Sequence, residues 1–130
     1  MKETEIMIGD RLAYRGQFAA FDFRVEQVTK RKVGYHAEPG ENRMQYLRLN
    51  EVQPIPLTPA MLERNGFEKV QNLLVLQWEN GVYPSMIFVE YNPENYCLFI
   101  NDMMFPKPVR FLHELHHILM DCGIEKEITP

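Results

Sequence analysis

Residues 53 to 59 read Gln-Pro-Ile-Pro-Leu-Thr-Pro, and no other stretch limits the fold so strongly. Proline fixes its own φ and holds the residue before it extended, so Pro54 and Pro56 argue against a helix or a central strand through this segment. Thr58 then offers a side-chain oxygen to cap a helix whose first position is Pro59, where the missing N–H is of no consequence. The expected division is residues 1–55 and 56–130.

The first part reads as short strands separated by turn residues. Leu12 and Tyr14 alternate within Arg11 to Arg15, a turn follows at Gly16, and Phe21, Phe23 and Val25 alternate with Asp22, Arg24 and Glu26. Further strands are expected over Val33 to His36 and Met44 to Leu49, on either side of a loop at Glu38-Pro39-Gly40-Glu41-Asn42. So few and such short strands cannot build a large sandwich. The economical solution is a small, curved, SH3-like β-barrel that closes its own edges.

The second part reads as helix, antiparallel β-meander, helix, which makes the whole chain α+β. The first helix carries Met61 and Leu62 and stops at Asn65-Gly66, glycine accepting the left-handed conformation beyond a helix end. Phe67 is expected to pack back against it. Strands are then expected over Leu73 to Trp78 and Val82 to Tyr91, joined by an Asn80-Gly81 hairpin turn, and over Tyr96 to Ile100, with a short fourth at Met103 to Phe105. Pro108 suits the start of a last helix that runs to about Cys122, before Gly123.

Composition sets the outer limits on function. The 130 residues are 45% hydrophobic, enough for a modest core. A net charge of -4 gives no general attraction to phosphate backbones, so nucleic acid is not expected as a partner. Lys30-Arg31-Lys32 is the one local basic run; it reads as a solvated turn, with a nucleic-acid contact as the alternative. A charged start and the lack of a long apolar run point to a cytoplasmic protein with no membrane partner. Cys97 and Cys122 have neither a zinc-ribbon nor a disulfide spacing and read as buried thiols.

The one chemically pointed motif is His113-Glu114-Leu115-His116-His117, which satisfies the His-Glu-x-x-His pattern of zincin peptidases. Histidines four apart share a helix face, so His113 and His117 can address one zinc ion while Glu114 activates its water. A helical projection places both imidazoles outside the apolar stripe of Leu112, Leu115 and Leu119, in a polar sector with Arg110, Glu114 and Asp121. What is missing is a third ligand. Met120 stands where the longer zincin pattern needs glycine, no histidine follows His117, Glu125 and Glu127 could fold back only by a sharp reversal at Gly123, and His36 and Asp102 are candidates from elsewhere in the chain. The same residues also make an ordinary ion-paired helix surface, through Arg110 with Glu114 and His117 with Asp121.

No nucleophile elbow, phosphate loop or dinucleotide fingerprint occurs. The aromatics of the meander alternate at strand spacing, and Trp78, Tyr83 and Tyr91 are the candidates for an outward binding face. The chain also resembles a family of small proteins of Bacteroides-type bacteria and their phages. The resemblance rests on Ile8-Gly9-Asp10, on Val52 to Thr58 leading to Leu62 and Asn65-Gly66-Phe67, and on Leu112-His113-Glu114-Leu115. That family has no assigned activity, so the resemblance implies no catalytic residue, and its last-helix pattern, built around His-x-Leu, is not itself a zinc site. The resulting expectation is a non-enzymatic adaptor or accessory module binding another protein, without a cofactor. The alternative is a zinc-dependent hydrolase using His113, His117 and Glu114.

Overall fold

The computed structural model describes residues 1–38, 40–71, 73–76, 86–92, 95–100 and 103–130, without the side chains of 86–92. It is a mixed α+β structure of small antiparallel sheets and two helices. The chain divides into two compact units, Met1–Ile55 together with Pro130, and Pro56–Thr129.

Period-two alternation builds the first unit. Its strands are β1 (Arg11–Arg15), β2 (Ala20–Arg24), β3 (Gln27–Val28), β4 (Lys32–Tyr35), β5 (Gln45–Arg48) and β6 (Val52–Pro54). β1 and β2 form a hairpin in which Leu12 faces Phe23 and Tyr14 faces Phe21, and β6 adds to the other side of β1 with Val52 opposite Tyr14. The second sheet has the order β3-β4-β5. The chain passes between the sheets at Val25 and Glu26: the Val25 N–H donates to the Asp10 carbonyl (2.8 Å) and the next N–H, of Glu26, to the Gly34 carbonyl (2.8 Å). Leu12, Phe23, Val25, Val33 and Val52 are buried together with Ile6. Each such side chain contributes about 1.5–3 kcal/mol when fully buried.

The expected closed barrel is not formed. The six strands make two three-stranded sheets, and no ladder joins them among the described residues. The strands are short for pairing around a full circuit: β3 contributes two residues, and β6 three, ending at Pro54, which offers no N–H on the edge away from β1.

In the second unit the Thr58 side chain accepts the Met61 N–H (3.1 Å), capping α1 (Pro59–Arg64) with Pro59 at its first position. Asn65 closes the helix, Gly66 takes φ 97°, and buried Phe67 returns its N–H to the Leu62 carbonyl (3.1 Å). The sheet that follows has the order β11-β10-β9-β8-β7, from β7 (Glu68–Val70), β8 (Leu73–Leu76), β9 (Met86–Asn92), β10 (Asn95–Ile100) and β11 (Met103–Met104). Leu74 and Leu76, and Tyr96, Leu98 and Ile100, are buried at alternate positions. The Asn80-Gly81 turn lies outside the described residues.

The last helix starts later than its proline suggested. Val109 exchanges two backbone hydrogen bonds with Tyr96 (2.9 and 2.8 Å), and the Arg110 carbonyl accepts the Leu57 N–H (2.9 Å), so the chain after Pro108 stays extended. Helix α2 therefore spans Leu112–Asp121. Beyond it Gly123 takes φ 69°, and the Ile124 N–H reaches back to the Leu119 carbonyl (2.8 Å). The tail is tied down as well: Ile124 and Ile128 are buried, and the Asn65 side chain bonds both the N–H and the carbonyl of Thr129 (2.9 and 2.8 Å). Among the described residues no helix is long and apolar enough to cross a membrane.

Candidate functional site

Helix α2 carries the His-Glu-x-x-His string, and the extended backbone before it decides what those side chains can do. Because residues 109 to 111 are not helical, the Arg110 and Phe111 N–H groups need acceptors outside a helical ladder. Glu114 supplies one. A single oxygen, Oε1, accepts both the Phe111 N–H (2.9 Å) and the Arg110 N–H (3.0 Å). This is the reciprocal half of a capping box, made without the usual hydroxyl because Phe111 has no side-chain acceptor. The carboxylate that a zincin would use as its base thus holds the start of the helix.

The imidazoles do not share one polar face. His113 is 7% exposed, whereas His116 and His117 are half-buried. The polar sector expected for His113 belongs to the helix taken alone, without the residues that precede it. Extended Phe111 lays its ring parallel to the His113 imidazole, at 5.9 Å between centroids and 19° between planes, and Arg110 sits over the other aromatic ring at 4.9 Å. His113 and His117 are nonetheless neighbours, their centroids 5.6 Å apart and their planes at 77°. The expected pairing of Arg110 with Glu114 takes the form of a backbone contact. Cys122 is exposed and Cys97 half-buried, in place of two buried thiols.

Of the other candidates, Trp78, Tyr83 and Asp102 lie outside the described residues. Tyr91 has its backbone in β9, and its side chain is likewise outside them. His36 lies in the first unit, on the rim of a cavity of about 840 Å³ that sequence reasoning did not anticipate. Its apolar wall is Phe21, Phe23 and Tyr35, and its rim carries Asp22, Glu26 and Glu41 among other polar residues. Phe21 and Tyr35 stand 5.7 Å apart, Phe23 and Tyr35 5.1 Å, and Tyr14 extends the cluster at 5.2 Å from Phe21. Burial, and secondly the nearby Tyr14 phenol, raise the Tyr35 pKa above its ordinary value.

The same cavity runs along β2, which is the edge strand of its sheet. The hairpin fixes which backbone groups face outward. The Gly16 N–H donates to the Ala19 carbonyl (2.8 Å) and the Val25 N–H to the Asp10 carbonyl, so the alternation of an antiparallel ladder turns Phe21 and Phe23 toward β1 and Ala20, Asp22 and Arg24 away from it. An edge strand beside an aromatic hollow can take a further strand by hydrogen bonding and one of its side chains by burial. The alternating Phe21-x-Phe23 pattern was the available signal, but alternation cannot tell an edge strand from an inner one. No family model, no curated protein and no solved structure matches the chain.

Proposed function

We propose that this protein is a non-catalytic adaptor that binds another protein, taking an extended segment of that partner along β2, the edge strand of its sheet among the described residues. The observation that carries the reading is the coincidence of an open strand edge with an aromatic-walled cavity. Main-chain hydrogen bonds to Asp22 supply affinity without regard to sequence, and the hollow formed by Phe21, Phe23 and Tyr35 selects an apolar or aromatic side chain of the partner. The first unit is SH3-like in its path on this reading. Support comes from the direct passage of the chain from β2 to β3 through Val25 and Glu26, between the two sheets, and from the 3₁₀ turn Leu49–Glu51 that precedes the return of β6 to β1.

Binding to an immobilised peptide array, compared between variants, tests this. Asp22→Ala keeps the outward N–H and gives up only the exposed ion pair with Arg15 (2.9 Å). It retains binding. Asp22→Pro removes the N–H while sparing the β1 ladder, and it weakens the same peptides about tenfold or more, as loss of one buried hydrogen bond implies. Equal binding by the two variants, or no peptide that distinguishes them, refutes the strand-addition reading.

A zinc hydrolase is the second reading, and the proximity of His113 and His117 is its specific support. Stoichiometric zinc in protein purified without chelator, lost on His113→Ala, favours it. Substoichiometric zinc in both ends it.

A further inference from the structure

The sheet β3-β4-β5 has a face whose chemistry differs from that of the rest of the chain. Across the whole sequence acids outnumber bases, 18 to 14. Yet the three strands, Gln27–Val28, Lys32–Tyr35 and Gln45–Arg48, contain no acid. Register decides which of their residues share a face. Lys32 stands opposite Arg48, and Gly34 stands opposite both Tyr46 and Gln27. Directly paired residues project to the same side of a sheet, as do residues two apart, so Gln27, Lys32, Tyr46 and Arg48 form one surface. The hydrogen bond from the Tyr46 hydroxyl to Gln27 Oε1 (2.9 Å) spans that surface. The opposite face is core, with Val33 fully buried and Leu47 packed beside it.

Two features of this surface are not needed for folding. Lys32 and Arg48 are like charges placed directly opposite each other, an arrangement that weakens a sheet. The tip of the β3–β4 hairpin adds Lys30 and Arg31, both exposed, and the turn that presents them is fixed by the Thr29 hydroxyl, which accepts the Lys32 N–H (3.1 Å). Four cations are therefore gathered at one end of a small sheet. Glu51 offsets them weakly, through a loose 3.9 Å contact with exposed Arg48. Beside them Tyr46 is 50% exposed, its ring held by the bond to Gln27 and one side-chain step, about 7 Å, from Arg48 along β5.

We infer that this face binds single-stranded nucleic acid, the cations following the phosphates and Tyr46 stacking on a base. A cationic patch alone fits any polyanion. A hydrogen-bonded, half-exposed aromatic ring within the patch fits a strand whose bases are unpaired, because a duplex keeps its base faces covered. The surface is distinct from the β2 edge and does not depend on the protein-binding reading.

Fluorescence anisotropy with a labelled oligothymidylate of about ten nucleotides, a length within the usual site sizes, tests the inference. Four phosphate contacts to a single strand predict that affinity falls about 50-fold between roughly 50 and 200 mM salt. Replacing Lys32 and Arg48 together by alanine halves the slope of that dependence on a logarithmic scale. Tyr46→Ala weakens binding about tenfold and leaves the slope unchanged, whereas Tyr46→Phe keeps most of the affinity. Phe21→Ala, in the cavity of the first unit, leaves binding as it was. Absence of salt-dependent binding by the unaltered protein overturns the inference, and so does equal affinity for a duplex of the same length. Equal effects of Tyr46→Ala on the oligonucleotide and on heparin, which offers charge without bases, also overturn it. Far-UV circular dichroism establishes that each variant is folded, and the salt slope and duplex comparison on the unaltered protein decide the matter without any variant.

Discussion

Replacing Glu114 separates the two roles its position allows. One carboxylate oxygen accepts two backbone N–H groups, from Phe111 at 2.9 Å and Arg110 at 3.0 Å, and the two bonds are unequal because Phe111 is part-buried whereas the Arg110 bond is exposed. In Glu114→Ala water takes over at Arg110 at little cost. The Phe111 N–H is left partly shielded without its acceptor, and an orphaned donor of that kind costs about 1–3 kcal/mol when fully buried. Scaled for partial exposure, and with a few tenths lost from the negative charge in the first helical turn, the total is about 1–2 kcal/mol. Glu114→Gln keeps an acceptor oxygen at the same reach and loses only the charge, for about 0.5 kcal/mol.

Urea unfolding gives the global figure, and amide hydrogen exchange gives the local one. The Phe111 amide should exchange about 5- to 30-fold faster in Glu114→Ala, the factor that corresponds to one or two kcal/mol. The Arg110 amide should change much less. If Glu114→Ala is as stable as the parent and the Phe111 amide is equally protected, the capping argument is wrong and the carboxylate is available for other chemistry. The glutamine variant sharpens the contrast. A catalytic base is abolished by Gln, whereas a cap is largely preserved by it.

Four other outcomes follow from single contacts. Thr58→Ala should cost about 1 kcal/mol in urea unfolding by releasing the Met61 N–H, while Thr58→Ser costs a few tenths. Leu62→Ala, at a fully buried position of α1, should cost about 2–5 kcal/mol, more than any surface change in the same helix. Asn65→Ala breaks the bonds to Thr129 and should speed exchange of the Thr129 amide and tryptic cleavage after Lys126, with little effect on the sheet. The Tyr35 pKa is raised in the folded protein, so the neutral phenol is favoured there; its contribution is complete below the ordinary value of 10.0 and is lost as pH rises through the folded value. Absorbance at alkaline pH should therefore show a late-titrating tyrosine that Tyr35→Phe removes.

What could be read from the sequence was what lies within a few residues of itself. The Thr58-Pro59 cap, the Gly66 stop and the alternating strands β2 and β10 are all set by neighbours along the chain, and the structure has them where spacing put them. The start of α2 differs from the sequence expectation because its cause is distant. Pro108 is a good helix opener by itself, but the bonds between Val109 and Tyr96 keep the chain extended until Leu112. β7 carries no buried residue and so no pattern, and its pairing with β8 makes it a strand. The closed barrel failed for a related reason, since alternation marks strands but does not say whether they are long enough to complete a circuit.

The candidate sites divide along the same line. His113, Glu114 and His117 attract notice because a helix brings residues four apart together, so a reader of the sequence sees the whole constellation at once. Two of these three residues nevertheless meet something that the helical spacing does not include: Phe111 stacks on His113, and two N–H groups from the extended lead-in occupy Glu114. The sites proposed here have the opposite character. Lys32 and Arg48 are joined by a strand register, and Phe21 meets Tyr35 across the boundary between two sheets. Neither pair has a spacing that means anything before the chain is folded. In a protein made of short strands, binding surfaces are assembled across ladders. A compact motif on one helix is thus a weaker guide to function here than two unremarkable residues brought face to face, and the like-charged pair of Lys32 and Arg48 carries the most information because folding alone would not favour it.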